Sequence, residues 1–68
     1  MDIEIGTKVT GNWGAMFPTS EGEIVKIEKH GVEILWDDET EVDFCSMSSL
    51  HEKGWRSENG SPIGIFLK

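Results

Sequence analysis

The stretch Gly22-Glu23-Ile24-Val25-Lys26-Ile27-Glu28-Lys29-His30-Gly31-Val32-Glu33-Ile34-Leu35-Trp36 decides the fold class of this chain. Two runs rich in β-branched residues alternate on either side of His30-Gly31, the pattern of two short strands joined by a tight hairpin turn. A two-residue loop at His30-Gly31 pairs Lys29 with Val32, Ile27 with Ile34 and Val25 with Trp36. One face of that hairpin is then largely apolar and the other mixed, as a half-buried antiparallel pair requires. The next turn is Asp37-Asp38-Glu39. A two-residue loop there would set Ile34 against Glu41 and bury an acid, whereas a three-residue loop sets Trp36 against Thr40, Ile34 against Val42 and Val32 against Phe44. Side-chain period two means that a one-residue error flips the whole strand, so the three-residue register is the expected one.

Outward from this hairpin the same signals recur. Thr7–Thr10, Glu23–Lys29, Val32–Trp36, Thr40–Phe44 and Ile63–Leu67 read as strands. Helical periodicity is nearly absent, since the 8 glycines and 2 prolines leave no long amphipathic window. Two long connections remain. Gly11–Gly22 holds Trp13, Met16, Phe17 and Pro18, and Cys45–Pro62 includes one helical turn at Ser46–Leu50 with Ser46 as its cap. The expected core is Val9, Val25, Ile27, Val32, Ile34, Trp36, Val42, Phe44, Ile63 and Ile65, joined by Leu50 and Leu67. Such a set suffices only if the sheet curls to cover both sides of it. The expectation is an all-β fold, a small five-stranded antiparallel barrel, partly open, in one domain spanning residues 1–68.

Three quoted segments carry a resemblance. Gly6-Thr7-Lys8-Val9, then a long aromatic loop, then Gly22-Glu23-Ile24-Val25-Lys26-Ile27, and finally Val32-Glu33-Ile34-Leu35-Trp36-Asp37-Asp38 together resemble a small Src-homology-3-like barrel of the Tudor or KOW kind. The resemblance covers residues 6–44 and implies a non-catalytic adaptor that binds peptides, modified side chains or nucleic acid.

Length and charge narrow this further. Sixty-eight residues leave room for one domain and no cofactor domain. No apolar run approaches the ~18 residues of a membrane span. Cys45 has no partner for a disulfide and reads as a small hydrophobe of the core, and the acidic start Met1-Asp2-Ile3-Glu4 is no secretory signal. Both point to the cytoplasm. The net charge is -7, from 13 acidic and 6 basic residues, which opposes direct nucleic-acid binding.

That charge is concentrated. Glu33, Asp37, Asp38, Glu39, Glu41 and Asp43 are six acids within eleven residues, and no Lys or Arg occurs from Val32 to Glu52. The strand register places Glu39, Glu41 and Asp43 in one outer row beside Glu33, either a solvated face that deters edge pairing or a docking surface for a basic partner. Alternate oxygens in Asp37-x-Glu39-x-Glu41-x-Asp43 superficially suit a divalent cation, but the calcium-loop pattern fails, lacking its central Gly and its final Glu. Trp13, Met16 and Phe17 either cap an open barrel end or form a binding patch. With Asp37 or Asp38, Trp13 and Phe17 have the composition of a methylated-cation cage, from which the core parity of Trp36 excludes that residue. Trp55-Arg56, beside Lys53, either stacks on a base or, as a structural pair, packs the Trp on the barrel with the Arg lying over it. Catalytic and cofactor motifs are lacking: there is no G-x-S-x-G, H-E-x-x-H, phosphate-binding Gly-Lys-Ser loop or C-x-x-C.

The expectation is therefore a protein-binding module acting through Trp13, Met16, Phe17, Asp37, Asp38, Glu39, Glu41, Asp43, Trp55 and Arg56. It needs no cofactor or metal, contacts no membrane, and is a monomer or weak oligomer. Two alternatives stand beside it: an acidic nucleic-acid mimic of the phage-inhibitor type, and a structural subunit of a larger assembly.

Overall fold

A computed structural model describes residues 2–68; Met1, the head of the acidic start, lies outside them. The chain forms β1 (Lys8–Asn12), β2 (Ser20–Glu28), β3 (Gly31–Trp36), β4 (Asp43–Ser46), a 3-10 turn (Met47–Ser49), β5 (Leu50–His51) and β6 (Gly64–Leu67). One sheet runs β4-β3-β2-β1-β6-β5. All neighbours are antiparallel except β5 and β6, which run parallel. The result is an all-β, nearly closed barrel of six strands instead of the five expected. The added strand, β5, has two residues, too short for an alternation signal to mark it. The 3-10 turn joins the two edge strands, β4 and β5, so the chain itself bridges the gap the hydrogen bonds leave open. The expected Ser46 cap is absent: its hydroxyl donates to Ser49 Oγ at 2.9 Å instead of receiving a backbone N–H.

The core consists of Val9, Ile24, Val32, Ile34, Trp36, Cys45 and Leu50, with Ile3, Met47, Ile65 and Leu67 packed against it. Val9, Val32, Ile34, Trp36 and Leu50 occupy the expected places, and Cys45 is buried as a small hydrophobe. Val25, Ile27, Val42, Phe44 and Ile63 do not belong to this buried set. Two register features account for four of them.

The first lies in the hairpin. Glu28 pairs with Gly31 and Ile27 with Val32, so the loop is Lys29-His30 and the register is displaced by two residues from the expected one. A two-residue displacement preserves facing, and Ile27 still shares the face of Val32, but it now sits next to the hairpin turn and is 40% exposed. A bulge at Val25 then flips the remainder of β2, so Ile24, not Val25, meets Ile34 in the core. Gly31 is not the turn glycine. Its φ is not positive, and it serves close approach: a Cβ there would lie 2.6 Å from the Phe44 ring and collide with the Cys45 carbonyl.

The second feature is at β4. Ile34 pairs with Asp43, Val32 with Cys45 and Glu33 with Phe44. The β3–β4 loop therefore spans residues 37–42, and the strand is slipped by one residue from the expected register. Cys45 turns inward, while Val42 and Phe44 are 43% and 55% exposed. The expected outer row of Glu39, Glu41 and Asp43 beside Glu33 does not form, because Glu39 and Glu41 lie in the loop and Asp43 pairs opposite Ile34.

Candidate functional site

Two connections leave the same end of the barrel: the β1–β2 loop, residues 13–19, and the β3–β4 loop. The first is held by its own bonds. Gly14 N–H donates to Asn12 Oδ1 at 3.0 Å, Gly14 adopts φ 107°, and Phe17 N–H donates to Gly14 O at 3.1 Å, closing a tight turn. Trp13 folds back from this turn. Its indole Nε1–H donates to Ser20 Oγ at 2.9 Å, and its ring meets Trp36 edge-on with centroids 5.6 Å apart. It also lies across Gly11, where any Cβ would strike the indole. Trp13 is thus a partial cap over the core and is still 41% exposed. Met16 and Phe17 have no such seat, at 88% and 62% exposed.

The second loop begins with a bond from Asp37 N–H to Glu21 O at 2.9 Å, which extends the β2–β3 pairing, and a turn closed by Glu39 N–H to Trp36 O at 3.0 Å. These bonds set Asp37 and Asp38 beside Pro18–Glu21, around a cleft of about 230 Å³. The ion pairs of the described residues are Lys8–Glu23, Lys26–Glu28, Lys26–Glu33 and Lys68–Glu21. Glu21 in the cleft is therefore engaged, and its carboxyl is held below the usual range chiefly by its bond from Lys68. Lys8 is raised by its hydrogen bond to Glu23, with Asp37 a weaker influence. The carboxyl of Glu39 is pushed up, first by the charge of Asp43 and then by desolvation, Asp38 and Glu41.

A larger cavity, about 410 Å³, adjoins the cleft across Thr19. Gly14, Ala15 and Phe17 form one wall, and Pro62 and Ile63 the other. The second wall is positioned by a stapled loop: Ser57 N–H donates to Ser61 O, Gly60 N–H to Ser57 O (both 2.9 Å), and Ser61 N–H to Ser57 Oγ at 3.1 Å. Ile63, expected in the core, is instead 52% exposed along this wall, with its Cδ1 3.7 Å from where a Gly14 Cβ would stand. The role of Ala15, Pro62 and Ile63 was not legible in the sequence, because no local signal links loops so far apart in the chain.

Trp55 and Arg56 line neither cavity. Trp55 stacks on His51, centroids 3.7 Å apart and rings 4° from parallel, next to Gly64. Arg56 does not lie over it as expected of a structural pair; its Nη1 donates to Gly60 O at 3.2 Å and ties the loop. The site residues thus separate into two groups: Trp13, Met16, Phe17, Asp37 and Asp38 gather at one barrel end, with Glu39 and Glu41 in the same loop and Asp43 at the start of β4, while Trp55 and Arg56 build the support of the β5–β6 connection. Trp36, excluded from a cage by parity, is 4% exposed. Among the described residues no three His, Cys, Asp or Glu side chains are grouped to hold a metal ion, and no helix is long and apolar enough to cross a membrane. No protein-family model, curated protein or solved structure matches the chain.

Proposed function

We propose that this chain is a non-catalytic binding module, a Src-homology-3-like barrel whose β1–β2 and β3–β4 loops dock a protein partner. The observation that carries this reading is the pair of adjoining cavities at one end of the barrel: Phe17 of the braced β1–β2 loop lines one, and Asp37 and Asp38, outside any ion pair among the described residues, line the other. Exposed large apolar side chains beside a one-signed charge patch are the makings of a small interface, in which rings supply affinity and charge supplies steering. The strand order and the two long connections support the Src-homology-3-like grouping. Burial of Cys45, the one thiol of the chain, supports a non-catalytic reading, because it lies in the core and its thiol is pushed up by burial.

Partner capture from the native host by the wild type, Phe17→Ser and the double variant Asp37→Asn/Asp38→Asn tests this. A partner docked across these two cavities is lost about tenfold or more with Phe17→Ser, the loss of an interface anchor of over ~1.4 kcal/mol. The double Asn variant slows association and flattens its salt dependence. A partner indifferent to both variants sinks the reading. A nucleic-acid mimic behaves otherwise: nucleic acid competes with it, and neutralising Glu39, Glu41 and Asp43 abolishes its effect while Phe17→Ser spares it.

A further inference from the structure

We propose that the cavity between the β1–β2 loop and the approach to β6 is an anchor site for one apolar side chain of a partner peptide, with a lysine or arginine of the same peptide against Asp37 and Asp38. This rests on the reading that this end of the barrel docks a protein, and it names the chemistry of the segment recognised. The cavity has a volume of about 410 Å³, and its walls are chiefly the apolar groups of Ala15, Phe17, Pro62 and Ile63. Phe17 and Ile63 flank it, each more than half exposed, so an apolar occupant removes both from water. Both walls are braced by loop hydrogen bonds before any ligand arrives, which lowers the ordering cost of binding.

Charge complementarity selects the occupant. The adjoining cleft carries Glu21, Asp37 and Asp38. Lys68 neutralises Glu21, and among the described residues no lysine or arginine pairs with the two aspartates. The rest of the loop adds Glu39 and Glu41, so a phosphate or acidic peptide is repelled and a cationic side chain attracted. Thr19 lies on both the cavity and the cleft. An extended peptide advances ~3.3 Å per residue, so an apolar side chain and a cation within about three residues of each other reach both sites across Thr19.

The test is selection of a random displayed-peptide library on the full chain, followed by fluorescence anisotropy with the enriched peptides made synthetically. The expected peptides carry a large apolar residue within about three positions of Lys or Arg. They shift the backbone amide resonances of Ala15, Thr19 and Ile63, and they weaken at least tenfold when their cation becomes Glu or their apolar residue becomes Ser. Ala15→Trp, which fills the cavity, and Ile63→Asp, which charges its wall, each weaken binding at least tenfold. Both positions are exposed, and either variant suffices if the other fails to give a folded amide spectrum. No enrichment, enriched peptides without the pair, or affinity unchanged in both variants overturns the proposal. A partner that needs Phe17 and the aspartates but ignores Ala15→Trp and Ile63→Asp overturns the anchor site alone; one indifferent to all four overturns the docking reading as well.

Discussion

Ile24 and Ile27 are chemically identical and three positions apart on β2, yet one is fully buried and the other is 40% exposed. The bulge at Val25 turns both toward the core face, and Ile27 differs because it pairs with Val32 next to the hairpin turn, where less of the barrel covers it. Ile24→Ala removes a buried side chain and is expected to cost about 2–5 kcal/mol in urea unfolding, whereas Ile27→Ala is expected to cost less than about 1.5 kcal/mol. The reverse order would restore the uninterrupted register and refute the bulge. Gly11 makes a second claim at this scale. Its missing side chain is where the Trp13 indole lies, so Gly11→Ala must displace that ring from Trp36 and Ser20. The expected loss is about 1–3 kcal/mol, the usual cost of overpacking. The accompanying readout is a change in tryptophan fluorescence; an unchanged spectrum and stability would show that the indole is not seated there.

Among the elements, the β3–β4 loop departs most from its sequence reading. Apolar residues at Val42 and Phe44 drew the strand inward in the expected register, but the observed slip puts Cys45 opposite Val32. Alternation marks the period of a strand and not its offset, and nothing local distinguishes a three-residue loop from a six-residue one. The loop carries its own pH signature. The Glu39 carboxyl is raised in the folded state, mainly by Asp43, so the fold binds this proton more readily than the unfolded chain does. Its ionisation therefore opposes folding at neutral pH, and the penalty is relieved as pH falls through the raised value. Glu21 has the opposite sign: its lowered carboxyl contributes stability above the ordinary glutamate value, lost as pH falls through the lowered one. Glu39→Gln is accordingly expected to raise the melting temperature at neutral pH and low salt. The gain should shrink in salt and vanish toward about pH 4. A gain that persists unchanged at that pH would contradict repulsion as the cause.

At the scale of the molecule, closure depends on one short parallel contact. Leu50 pairs with Ile65 and His51 with Phe66, the strand pairing by which, among the described residues, the edge after the 3-10 turn rejoins the sheet. Leu50 is 2% exposed and belongs to the same cluster as Cys45, which is 5% exposed. Cys45 thus reports on opening: its thiol is expected to react with an aromatic disulfide reagent only as fast as the barrel opens. Leu50→Ala should speed that reaction at least tenfold, in line with a loss of about 2–5 kcal/mol from the core. Rapid labelling of the native wild type would mean that the barrel is open at the β4–β5 gap.

What the sequence by itself determined is the all-β class, the order of the main strands, most of the buried core and the two loops that carry the exposed rings and the acids. These are local properties: alternation, β-branching, glycine and proline punctuation, and the density of charge along the chain. Only the tertiary structure decided the hairpin offset, the bulge at Val25, the slip of β4 and the added β5, because each depends on which backbone meets which across the barrel. Gly31 shows the reason most directly. Along the chain it reads as a turn glycine; in the barrel it is the place where the Cys45 carbonyl and the Phe44 ring need room. The candidate site has the same division. Phe17 and Asp37 are visible in the sequence as chemistry, but their joining with Ala15 and Ile63 around adjoining cavities follows from strand pairing that brings β1, β2, β3 and β6 side by side.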